Sequence, residues 1–170
     1  MFEIDSVSLT IGAVLLVAFA VPFFMYSSKS KKEKKKRDMM LEDYLKANNL
    51  KLDLQESWRN KYFLGLDLAH KKLVYVKSFE DFQPLQVNLE ELSHITSQEV
   101  SRMVGSGKDS RKVLDELQLQ LVGKNGKVRA SLEIYNGDLF SDLSGEPVLI
   151  QKWETLLKEQ ISQIKQMEKV

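Results

Sequence analysis

The stretch Leu117 to Ile134, LQLQLVGKNGKVRASLEI, decides how the fold is read. Asn125-Gly126 supplies the two residues that best tolerate the positive φ angles of a type I′ turn. Folding about that turn, with Lys124 beside Lys127, sets Leu121 opposite Ala130, Leu119 opposite Leu132 and Leu117 opposite Ile134. The same register sends Gln118, Gln120, Arg129, Ser131 and Glu133 to the other face. Turn chemistry and burial pattern therefore specify one antiparallel hairpin.

Toward the C-terminus, Pro147 suits a helix start, where its missing N–H would have no helical partner. Ile150, Trp153, Leu157, Ile161 and Ile164 follow at three- and four-residue steps, with Leu149 and Leu156 beside them. Gln151, Lys152, Glu154, Lys158 and Glu159 face away. This pattern predicts an amphipathic helix over 147–166 that covers the apolar face of a sheet. Toward the N-terminus the runs alternate at period two. Leu50, Leu52 and Leu54 predict one half-buried strand, and Trp58-Arg59-Asn60 interrupts it. Tyr62–Asp67 and Lys72–Lys77 flank a polar turn around Ala69-His70. A short run, Leu85–Val87, follows Pro84, and Ser93–Arg102 is a further candidate strand. The segment VGSGKDSR, 104–111, is expected as a mobile loop. Asp38 is expected to cap a short helix, DMMLEDYLKANNL, with Leu41, Tyr44, Leu45 and Asn48 on one face and Asn48-Asn49 as its stop.

Composition bounds the rest. The 170 residues are 43% apolar and 29% charged, with a formal net charge of +1, enough for one ordinary domain and an appendage. Without Cys there is no disulfide or thiolate metal site, and two His leave little for a histidine metal cluster. Charge and apolarity are segregated. Residues 6–28 carry no charge, whereas Lys29, Lys31, Lys32, Lys34, Lys35, Lys36 and Arg37 crowd the next nine positions against one acid, Glu33. Residues 38–170 hold 18 basic and 21 acidic side chains, a net of −3.

Val7 to Tyr26 has only Ser8 and Thr10 as polar side chains apart from its terminal tyrosine, and as a helix it would reach about 30 Å, the thickness of a bilayer core. The rival reading is a cleaved signal peptide, for which Ala18-Phe19-Ala20 would serve as the cleavage site. Such a peptide has a basic leading region, and here Glu3 and Asp5 come first. The expectation is a transmembrane helix over 7–28 behind a short extracytoplasmic tail, 1–6. The basic residues all follow it, so the positive-inside rule places the N-terminus outside and the remainder in the cytoplasm of a single-pass cell-membrane protein. Residues 29–37 then form a polybasic juxtamembrane segment that fixes topology and attracts anionic headgroups by about 1 kcal/mol per basic residue. Residues 38–49 would be a short helical linker and 50–170 the folded domain. The run has no interleaved aromatics, so nucleic acid is not expected as a partner.

About seven short strands followed by one C-terminal helix bearing a Trp resemble the pleckstrin-homology-like fold. More particularly, the chain looks like bacterial membrane-anchored proteins with a cytoplasmic domain of that kind. The resemblance covers roughly residues 50–166 and rests on element order, the YFLGLD…KKLVYVK hairpin and Trp153. It implies an α+β domain, an antiparallel barrel or sandwich of about seven strands closed by a helix, acting as a binding module. Lipid-binding members hold phosphates with a basic cluster at the first hairpin. The matching turn here, Trp58 to Lys61, offers Arg59 and Lys61 alone, so a protein ligand is the expectation.

The search for chemistry is negative at each candidate. A phosphate-binding loop ending at Gly107-Lys108 would need Gly at 102 and Ser or Thr at 109, where the chain has Arg102 and Asp109. His70 and His94 have no metal-ligating residues at suitable spacing. Glu90-Glu91 are solvated neighbours, and no Ser lies in a GxSxG setting. Trp58, Tyr62, Phe63, Tyr75, Phe79 and Phe82 read as core. No catalytic residue, cofactor or metal is therefore expected. The function expected is a membrane-anchored, non-catalytic scaffold or regulator holding a protein partner. A lipid-sensing protein is the alternative, and an enzyme with an unrecognised site a third class.

Overall fold

The computed structural model describes residues 6–167, with the side chains of 6–15, 17–18, 20–28 and 108 outside that description. The chain divides into two units, Met1–Leu50 and Lys51–Val170.

The first unit is one helix, α1 (Ser6–Ala47), of 42 residues and about 63 Å. It runs through the apolar stretch, the basic run and LEDYLKA without a break, so Asp38 lies inside the helix and caps nothing. The stop falls where the sequence places it. Asn49 adopts φ +52, its N–H donates to the Lys46 carbonyl at 3.1 Å, and the Leu50 N–H donates to the Leu45 carbonyl at 2.9 Å. These two bonds form a Schellman motif, with Asn in the left-handed position usually taken by Gly.

Among the described residues, no helix is long and apolar enough to cross a membrane. This overturns the expected spanning helix over 7–28 and, with it, the single-pass placement with the N-terminus outside and the domain cytoplasmic. The apolar run is not a self-contained element: α1 carries it into the seven basic residues, so apolar and charged stretches share one helix. Apart from Leu16 and Phe19, both exposed, the side chains of 7–28 lie outside the description.

In the second unit, β1 (Leu54–Trp58), β2 (Tyr62–Asp67), β3 (Lys72–Val76) and β4 (Leu85–Asn88) form an antiparallel meander in the order β1-β2-β3-β4. β5 (Leu92–Val104), β6 (Arg111–Gly123) and β7 (Val128–Asn136) form a second, in the order β5-β6-β7. A 3₁₀ turn, Leu89–Glu91, passes the chain between the sheets, and α2 (Glu146–Met167) packs on the three-stranded one. The architecture is α+β. Strands pair only within each sheet, so the expected barrel is corrected to two open sheets. Side chains bridge between them instead: Trp58 Nε1 donates to the Ile134 carbonyl at 2.8 Å and the Tyr75 hydroxyl to the Glu133 carbonyl at 2.7 Å.

The core follows the period-two pattern. Tyr62, Leu64 and Leu66 of β2, Leu117, Leu119 and Leu121 of β6, and Leu132 and Ile134 of β7 are buried together with Ile150, Trp153, Leu157, Ile161 and Ile164 of α2. The hairpin keeps Leu121 opposite Ala130 and Leu119 opposite Leu132, but Leu117 faces Tyr135. A bulge absorbs Ile134, which lets both Ile134 and Tyr135 be buried. The turn also differs from the type I′ expected. Only Gly126 has positive φ, +77, the Gly126 N–H donates to the Gly123 carbonyl, and Asn125 Oδ1 accepts from the Lys127 N–H at 3.0 Å. That is a three-residue loop with Gly in the left-handed position.

Two further expectations change. The strand predicted from Leu50 begins only at Leu54, because the Asp67 carboxylate takes the Lys51 N–H at 2.8 Å and holds the preceding residues out of the ladder. The predicted loop 104–111 shrinks to Gly105–Ser110, since β5 and β6 run on as paired strands to Val104 and Arg111. Gly105, at φ +102, makes the exit from β5, and a Cβ there would lie 2.5 Å from the Asp109 carbonyl oxygen.

Candidate functional site

Chemistry would start at the carboxylates drawn out of water, Glu146 and Asp67, which are buried, and Glu133, which is half-buried. Glu146, only 2% exposed, sits in the first turn of α2 and accepts from Arg59 Nε at 2.5 Å and from the Ser144 N–H. Arg59 also donates to Asp142, through NH1 to the carboxylate at 3.3 Å and through NH2 to the backbone carbonyl at 2.6 Å. Its guanidinium lies 4.8 Å from the Phe140 ring centroid. Burial pushes the Glu146 pKa up, but Arg59 and the Glu146 and Ser144 amides outweigh it and hold the carboxyl below its ordinary value. The second cluster surrounds Glu133. Its carboxylate accepts from the Tyr62 hydroxyl at 2.8 Å, Lys77 Nζ at 3.1 Å and Asn136 Nδ2 at 3.2 Å. Burial again raises this pKa, and those three donors bring it below the ordinary value. Burial and then Glu133 push Tyr62 and Tyr75 well above the ordinary tyrosine value. Asp67 accepts from the Lys51 N–H, the His70 N–H and His70 Nδ1, each at 2.8 Å. All three carboxylates spend their lone pairs on holding turns and strand ends.

The other residues weighed for chemistry are also engaged locally. Glu90 meets Lys71 at 2.9 Å and Glu91 pairs with Arg129, so the two glutamates face separate cations. His94 Nδ1 lies 3.0 Å from Ser93 Oγ. Among the described residues, no three His, Asp or Glu side chains come together as a metal site. Trp58 stacks on Tyr62 at 5.3 Å between centroids and Phe79 on Phe82 at 5.9 Å. An open groove of about 610 Å³ between Glu90, Glu91, Lys124, Asn125 and Arg129 has no enclosing wall.

The basic residues Lys29, Lys31, Lys32, Lys34, Lys35 and Lys36 are exposed on α1, and Arg37 is half-buried. At about 100° per residue they encircle the helix and define no single face.

The most distinctive surface lies on the three-stranded sheet. β5 and β6 are 13 residues each, but β7 pairs only with Glu116–Val122. Beyond Val100 the two strands continue as a ribbon with no third strand paired to it, and every residue from Ser97 to Val104 is exposed. β5 is an edge strand. Side chains of α2 cover its first half: Lys165 Nζ donates to the Ser93 carbonyl at 2.6 Å, and Glu154 accepts from the Ser97 N–H and hydroxyl. By the period of two, Glu99, Ser101 and Met103 turn their N–H and C=O groups to the same open side, past the reach of those two side chains. The sequence pattern ends this strand at Arg102, places 111 in the expected loop and leaves 112–116 unassigned. The missed signal is the alternation Val100, Arg102, Val104 with Arg111 and Val113, which is too polar to register as a buried face.

These features define a class, an α+β domain of two open antiparallel sheets closed by a helix, with the second half of the β5 edge exposed. No protein-family model matches the chain, and comparison with curated proteins and with solved structures gave no match. The resemblance to bacterial membrane-anchored proteins is accordingly corrected, since neither a family match nor a spanning helix supports it.

Proposed function

We propose that this protein is a non-catalytic interaction module that takes up an extended protein segment by strand addition along Glu99–Val104 of β5. The observation that carries the reading is that β5 is the outer strand of its sheet and α2 reaches only its first half, which leaves Glu99–Val104 with a row of backbone donors and acceptors at an exposed edge. Seven strands in two meanders with one closing helix support a pleckstrin-homology-like sandwich as the architecture presenting that edge. The non-catalytic part is supported by the use of Glu133, Glu146 and Asp67 as structural acceptors. The test is a screen of random extended peptides against the full chain, with amide hydrogen exchange as the readout. Binders should slow exchange at Glu99, Ser101 and Met103. Binders that leave all three amides unchanged would refute the reading.

The exposed lysines of α1 favour a second reading, attraction to anionic lipid headgroups. It requires that the full chain bind phosphatidylserine vesicles in a salt-sensitive way and lose this when Lys31, Lys32, Lys34, Lys35 and Lys36 become Ser.

A further inference from the structure

We infer that the segment received by the β5 edge carries an acidic side chain between apolar ones along one face, at every second residue, and belongs to another protein. The inference rests on the strand-addition reading above and adds the chemistry of the partner. Along one face of β5 stand Val100, Arg102 and Val104. The β6 register sets Val113 opposite Arg102 and Arg111 opposite Val104, so both join that face. Three valines and two arginines thus share one side of the ribbon, with Glu116 opposite Val100 at its base. Val100 is 41% exposed, an unusual place for a β-branched side chain. The opposite face differs: Leu114, opposite Ser101, packs against the core.

Charge separates the ribbon from its own domain. Residues 101–112 carry Arg102, Lys108, Arg111 and Lys112 against Asp109, a net of +3, whereas 38–170 as a whole is −3. In a second copy the edge strand with that pattern, Leu54–Trp58, already has Glu56 bound to Lys152 and Trp153 and Trp58 to the Ile134 carbonyl, whereas an acidic extended segment of another protein complements the ribbon directly. The existing pairs do not prevent it. Arg102 meets Asp115 at 3.2 Å and Lys112 meets Glu99 at 2.5 Å; both cations are largely exposed, and such surface pairs exchange at little cost. Arg111 has no ion pair among the described residues. A bound strand would set alternate side chains on the Val/Arg face, where valine accepts an apolar residue and arginine a carboxylate with fork geometry. The other side chains of the segment would face Met103, 65% exposed.

The probes are three blocked six-residue peptides, Val-Ser-X-Ser-Val-Ser with X as Glu, Ser or Lys, which set Val, X and Val on one face, titrated against the full chain at low and physiological salt. The Glu peptide should bind roughly tenfold tighter than the Ser peptide at low salt, lose most of that advantage as salt screens it, and slow exchange at Glu99, Ser101 and Met103. The double variant Arg102→Glu, Arg111→Glu should fold as before and prefer the Lys peptide. Equal binding of all three peptides with edge protection would overturn the charge inference and leave strand addition standing. Absence of protection with every peptide would overturn both. A DNA duplex that binds as tightly as the Glu peptide without protecting the edge would also overturn the inference, because bare positive charge would then explain it.

Discussion

Replacing Arg59 by Met tests how the β1–β2 turn is tied to α2. Met keeps most of the aliphatic stem over Phe140 and deletes the guanidinium. Arg59 is 14% exposed and Glu146 2%, so the pair is largely out of water. Without Arg59, the Glu146 carboxylate keeps only the Ser144 and Glu146 amides inside an apolar surround. Leaving one partner of a buried pair uncompensated costs about 3–5 kcal/mol. Loss of the cation over Phe140 adds about 0.5–1 kcal/mol. A domain of this size has about 5–15 kcal/mol in hand, so Arg59→Met removes a large part of it. The cycle is closed with Glu146→Gln. Alone, that change sets an amide toward the Ser144 N–H and costs about 1–3 kcal/mol. Combined with Arg59→Met it also removes the stranded charge, so the double variant should be more stable than Arg59→Met. Urea unfolding followed by fluorescence of Trp58 and Trp153 measures all four corners at pH 7. If Arg59→Met loses less than about 1 kcal/mol, or if the two changes simply add, the ion pair does not fasten the turn to the helix.

Two other outcomes follow from the same burial. Trp153, 2% exposed and donating through Nε1 to Glu56 at 3.2 Å, anchors α2, and Trp153→Ala should cost about 3–5 kcal/mol; an unchanged melting curve would show the helix is not held by that residue. Glu133 and Glu146 both lie below their ordinary 4.5, so their stabilisation is complete above that value and disappears as pH falls through their lowered values. Stability should be flat near neutrality and drop on acidification below pH 4.5, and Glu133→Gln should make that drop shallower. Tyr62 and Tyr75 act in the opposite sense, lying above their ordinary 10.0, so stability should also decline above pH 10, with tyrosinate absorbance appearing only as the domain unfolds.

The sequence by itself determined the elements whose signals are local. The stripe from Ile150 to Ile164 makes α2 because helical spacing and apolar side chains coincide there, and all five of its positions are buried. The β6–β7 hairpin kept two of its three predicted leucine pairings, because alternation at period two punishes any slip by one residue. Asn48-Asn49 ended α1 because Asn tolerates the left-handed conformation. Tertiary structure decided the rest. The choice between a closed barrel and two open sheets depends on which strand edges meet, and no residue pattern along one strand records that. The bulge at Ile134 arose because Ile134 and Tyr135 both found burial, which the hairpin alone would not give them. Arg59 reaches Glu146 across 87 positions, Trp58 the Ile134 carbonyl across 76 and Tyr62 the Glu133 carboxylate across 71, pairings set by the packing of sheets and helix. The free edge of β5 is of the same kind. Its residues as far as Arg102 read in sequence as one more candidate strand, and they become a binding edge only because β5 lies outermost in its sheet and α2 covers no more than the first half.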